Sequence, residues 1–120
     1  MIVCVRTVGV PEGTRSRYLE WIAENRAVRA AHGLLFELVL EPATETGETL
    51  VITAWPSHEV FDAWIATPDR DRLTASDVHR AVDYRPITRY DAAGGFVNLE
   101  GLKALERKSD EVGDPRASQD

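Results

Sequence analysis

Three stretches of this chain are apolar on both of their alternating sets of residues. IVCVRTV (residues 2–8), LLFELVL (34–40) and TLVITAW (49–55) are rich in β-branched, leucine and aromatic side chains, and each reads as a strand. A strand with one face in water alternates apolar with polar residues. These do not, so both faces of the sheet they build have to be covered.

The intervening segments supply one cover. GVPEG is a turn signal that closes the first strand, and from Thr14 the spacing becomes helical, with Tyr18, Trp21, Ile22, Asn25 and Val28 on one side. Thr14 or Ser16 is the expected cap, and His32-Gly33 the expected end of that helix. ATETGE is a polar turn short enough to make the second and third strands an antiparallel hairpin. Ser57 then opens a second helix in which Val60, Phe61, Trp64 and Ile65 form one apolar stripe. Pro68 interrupts it, DRDRLTASDVHRAV continues as a further short helix, and YRPITRYDA (84–92) reads as a fourth strand with an edge or bulge at Pro86.

The order strand, helix, strand, strand, helix, strand predicts an α+β, ferredoxin-like βαββαβ fold: an antiparallel sheet with its helices on one face. Two helices cover only one side. The other is expected to pack on the same face of a second copy, giving a homodimer whose sheets close into a dimeric α+β barrel.

A length of 120 residues fits one domain, expected over 1–93. The extension 94–120 is expected to carry a short helix, with Leu99, Leu102 and Leu105 packing on the partner subunit, and then a disordered polar tail over about the last dozen residues. A net charge of -6 with only two lysines argues against nucleic acid as a partner. Arg70, Arg72 and Arg80 alternate with Asp69, Asp71 and Asp77, the pattern of a solvated helix face. The lone Cys4 reads as a buried strand residue, and no apolar run reaches the ~18 residues of a membrane span. With no leader pattern at the N-terminus either, the expectation is a cytoplasmic protein without a membrane partner.

From Ile2 to about Tyr90 the chain resembles the antibiotic biosynthesis monooxygenase domain of the dimeric α+β barrel superfamily. RAAHGLLFELVL carries the glycine before the second strand, and TLVITAWPSHEVFDAW carries the apolar strand, Trp55, Ser57, Glu59, Phe61 and Trp64 of the family pattern. The resemblance implies a ligand pocket between the sheet and its helices. It implies a monooxygenase that works without a cofactor on a small aromatic, quinol or polyketide-like substrate. Two alternatives accompany it: a heme-binding or heme-degrading protein, and a non-catalytic dimeric ligand-binding domain.

Cofactor-free oxygenation needs a base for a phenol and groups that hold the resulting oxyanion. His32, His58 and His79 are the candidate bases; Arg6, Arg85, Arg89, Tyr84 and Tyr90 are the candidate anion holders. His79 and Arg6 are the catalytic assignments, with Trp64, Phe61, Trp55 and Tyr84 expected against the substrate. Arg6 shares a strand face with Ile2, Cys4 and Val8, where a structural role would demand an ion pair with Glu37 or Glu41. Trp21 is expected in the core. No metal is expected. For the heme alternative, Trp64 matches the family's porphyrin-lining tryptophan, but the first strand offers no asparagine, and His79 comes later after Trp64 than that branch places its iron ligand.

Overall fold

A computed structural model describes residues 1–44 and 47–112. β1 (Ile2–Gly9), β2 (Phe36–Leu40) and β3 (Thr49–Trp55) occupy the three apolar stretches, and β4 (Asp83–Tyr84) and β5 (Thr88–Asp91) divide the last one. The sheet is antiparallel, in the order β2-β3-β1-β4, with β5 also on the β4 side of β1. Helices α1 (Arg15–Glu24), α2 (Arg26–Ala31), α3 (His58–Ile65), α4 (Pro68–Thr74) and α5 (Asp77–Ala81) connect the strands. The architecture is the ferredoxin-like one expected.

The differences lie where polar groups compete with the regular ladders. The first helix is two helices, because Asn25 turns its amide back to the carbonyl of Trp21 at 2.7 Å and interrupts the run. Thr14 occupies the cap position of α1 without capping it; its hydroxyl donates to the Pro11 carbonyl instead. The region 69–82 is likewise two helices: Thr67 caps α4, with Pro68 in its first turn, and Ser76 caps α5. The fourth strand breaks at Arg85-Pro86-Ile87, since proline has no amide for the ladder. β2 starts at Phe36, later than the apolar run suggests. Ser57 does cap α3, accepting from the Val60 amide at 3.2 Å. Gly33 ends α2 with φ of 111°, and a side chain there would meet Val60 Cγ1 at 2.5 Å, so glycine answers two demands at once.

Register fixes the two faces. Ile2 pairs with Trp55, Cys4 with Thr53 and Arg6 with Val51, placing all six on the helix-covered side. There Ile2, Cys4, Trp55, Phe61 and Trp64 form one apolar cluster, and Val8, Tyr18, Ile22 and Val82 form another. The opposite side carries Val3, Val5, Leu50, Ile52, Phe36, Leu38, Leu40 and Tyr90. Leu38 is 50% exposed and Tyr90 56%. α6 (Leu99–Val112) extends beyond the leucine stripe, whose three leucines are exposed. The rest of the expected disordered tail, 113–120, lies outside the described residues.

Candidate active site

Between the two apolar clusters lies a cavity of about 140 Å³. One end is aromatic. Trp55 stacks on Trp64 with centroids 6.2 Å apart, and Phe61 lies tilted against Trp55 at 5.2 Å. Trp55 is held by its own strand, its indole nitrogen donating to Thr53 Oγ1 at 3.1 Å. Trp64 is held from behind by His32, whose ring sits 5.1 Å away and bonds Asp69 on α4 at 2.9 Å. These contacts fix the orientation of the wall and leave it facing the cavity.

The other end is polar. Arg6 reaches it from β1, His79 from α5, Tyr84 from β4, Tyr18 from α1 and Arg70 from α4. The imidazole of His79 stacks on Tyr84 at 4.3 Å and meets Trp21 at 5.6 Å, while the Arg6 guanidinium lies over the other aromatic neighbour of His79, 4.8 Å from the Tyr84 centroid. Nε and Nη2 of Arg6 both donate to the carbonyl of Arg85, at 2.9 and 2.8 Å. The break at Pro86 positions that carbonyl. The expected ion pair of Arg6 with Glu37 or Glu41 does not form. Glu37 is taken by Arg29, through Nη2 at 2.9 Å and through Nη1, and Glu41 by Arg15. Arg29 wins because it projects from α2 directly over β2, with only 14% of its side chain exposed and 4% of that of Glu37.

Burial, then the charges of Arg70 and Arg6, hold His79 below its ordinary pKa, with the Thr74 carbonyl opposing them; the ring is neutral at neutral pH. Burial first, and the adjacent Tyr18 phenol second, push Tyr84 up, and burial does the same to Tyr18, so both phenols keep their protons. Tyr84 Oη is buried beside the Tyr18 phenol, with which it interacts, and makes no hydrogen bond of ordinary geometry among the described residues. A hydroxyl so loosely held can turn to a ligand in the cavity.

The sequence-derived assignments Arg6, His79, Trp55, Phe61, Trp64 and Tyr84 thus all line one cavity. The other candidates do not. His58 bonds Asp91 at 2.7 Å, Arg89 pairs with Asp62 at 2.7 Å while lying over the outside of Phe61, and Tyr90 is on the outer sheet face. Sequence reading missed Tyr18, placed Trp21 in the core alone, and put Arg70 on a solvated face. Trp21 and Arg70 both line the cavity. Asp69, the acidic neighbour in that charge pattern, bonds Arg72 and His32, leaving the Arg70 guanidinium with no ion pair among the described residues. The signal was present in Thr67-Pro68, which starts a separate helix and rotates Arg70 inward. No group of acidic, histidine and cysteine side chains among the described residues has the makings of a metal site.

The model of the antibiotic biosynthesis monooxygenase family matches residues 1–75. The chain belongs to this family. SnoaB from Streptomyces nogalater, a cofactor-independent oxygenase, shares the fold with a TM-score of 0.66 at 17% identity, over 81% of this chain and 97% of its own. MhuD from Mycobacterium tuberculosis, a heme-degrader with two hemes bound in its active site, matches with a TM-score of 0.64 at 20% identity, over 81% of this chain and 100% of its own. At these identities the likeness establishes the fold alone. No curated protein matches the chain. The described residues contain no helix long and apolar enough to cross a membrane.

Proposed function

We propose that the chain is a cofactor-independent monooxygenase acting on a small aromatic phenol or quinol. The observation that carries this reading is a neutral His79 stacked on the buried Tyr84 phenol, with a guanidinium over that ring, at the polar end of an aromatic-walled cavity. The substrate ring lies against Trp64 and Trp55. His79 Nε2 or Nδ1 accepts the substrate's hydroxyl proton, and Arg6 and Tyr84 hold the oxyanion. The electron-rich anion gives an electron to dioxygen, the two radicals combine at a ring carbon, and the hydroperoxide loses water. A hydroquinone and one dioxygen thereby become a hydroxyquinone and one water: one oxygen atom stays on the ring, and the ring supplies all the electrons. The aromatic walls keep water from the anion while this happens.

The active form is a homodimer, in which the outer apolar faces of two sheets cover each other. The catalytic unit is residues 1–93, with 94–120 an extension, and the protein works in the cytoplasm. Heme has weaker support. The family gives a porphyrin as a possible guest, yet 140 Å³ is below the ~300 Å³ at which sites for larger ligands begin. Tyr84 covers a ring face of His79 but not its in-plane nitrogens, so the objection to heme is the small size of the space.

The test is oxygen uptake by the purified protein with a panel of hydroquinones and anthrones, without added flavin or metal. Uptake with formation of the oxygenated product, lost in His79→Ala, is the expected result. Silence across the panel would leave the non-catalytic ligand-binding domain. A Soret shift on hemin titration that His79→Ala removes would restore the heme reading.

A further inference from the structure

The polar end of the cavity carries an imbalance of charge. Its one carboxylate, Glu37, is consumed by Arg29, with Arg26 a further 3.9 Å neighbour. Arg6 is held by a carbonyl and a ring face, neither of which neutralises it, and Arg70 has no ion pair among the described residues. Both guanidinium groups are half-buried, and burial first, with the nearby Arg70 charge adding to it, disfavours the charge on Arg6. Buried cations are ordinarily paired. Here two stand beside a cavity, with the buried Tyr84 phenol at the same end.

The volume suits a small guest. A cavity of about 140 Å³ is close to the ~150 Å³ of an engineered site that holds one benzene ring. A single ring fills that space, with one edge against the aromatic wall and its substituents at the polar end.

We infer that the substrate is a monocyclic aromatic carboxylate, a hydroxylated benzoate whose carboxylate lies between Arg6 and Arg70 while its phenol faces His79. This rests on the reading of the cavity as the substrate site and narrows it to a substrate class. Arg70 is then the specificity residue: it distinguishes an acid from its neutral analogues, and a guanidinium suits the two oxygens of a carboxylate.

The test compares 2,5-dihydroxybenzoate with its methyl ester, the same ring without the charge, by calorimetric titration at neutral pH. The acid is expected to bind about ten- to a hundred-fold more tightly, the range for hydrogen bonds to a charged group. Arg70→Met is expected to remove the preference and Arg70→Lys to keep part of it, with circular dichroism establishing that both variants fold. Equal or tighter binding of the ester to the unmodified protein overturns the inference, whatever the variants do. Oxygen uptake separates this inference from the reading beneath it. Preferential binding of the acid without uptake upholds the anion site and counts against the oxygenase. Uptake with unsubstituted hydroquinone, together with no preference for the acid, overturns the anion site and leaves the oxygenase standing.

Discussion

Glu37 and Leu38 are neighbours on β2, and they reverse the usual arrangement: the carboxylate side chain is 4% exposed and the leucine 50%. Each is intelligible only from what lies over it. Glu37 faces the helices, where Arg29 meets it with two hydrogen bonds. Leu38 faces away from them, in a field of Phe36, Leu40, Leu50 and Ile52. One side of the sheet is a finished interior with charge built into it; the other is an exposed apolar surface, the one assigned to the proposed dimer.

The sharpest way to break this contrast is to put a charge on the wrong side. Leu38→Asp buries a carboxylate without a partner in the proposed dimer, at a cost of several kcal/mol. Light scattering after size exclusion is expected to give the dimer mass for the unmodified chain and the monomer mass for the variant; an unchanged mass would mean that this face is not the interface. On the helix side, Glu37→Ala strands Arg29 inside the protein. The expected loss is about 3–5 kcal/mol in urea unfolding, against well under 1 kcal/mol for a surface ion pair.

A titration sharpens the same side. His79 lies below its ordinary value when folded, so the unfolded chain takes up the proton more readily. Stability from this group is complete above the unfolded value of about 6.5 and falls as pH drops through it, until the folded ring also titrates. Urea midpoints across this range should decline less in His79→Gln than in the unmodified chain; parallel curves would remove His79 as the cause. The smallest effect is at the α3 cap, where Ser57→Ala should cost about 1 kcal/mol with oxygen uptake per folded molecule unchanged.

Much of this was legible beforehand, and for identifiable reasons. Strand order, the two apolar faces and the inward turn of Trp64 follow from periodicity, which samples many residues at once. Individual ion pairs do not. Arg6 and Glu37 are both on the helix face, yet Glu37 pairs with a residue only eight positions earlier in the chain, because α2 passes over β2. Arg70 was harder still: Asp69-Arg70-Asp71-Arg72 has the composition of a solvated surface, and only the restart of the helix at Thr67-Pro68 separates Arg70 from Arg72. His79 could be preferred over His32 and His58 because those two fall at a helix end and beside a cap, and both are engaged by aspartates.

The break at Pro86 has a consequence for how such a pocket can diversify. The Arg85 carbonyl is the tether of Arg6, and it belongs to a short joint between two strands whose last residue, Ile87, packs against the first apolar cluster. Lengthening that joint by one residue would displace the tether by roughly 3 Å, the rise of one extended residue. The cation would be re-aimed while Trp55, Phe61 and Trp64 kept their places. Indels at this joint therefore offer descendants of the gene a dial for substrate chemistry, limited by the packing of Ile87 and by the bond from the Arg85 amide to the Thr7 carbonyl.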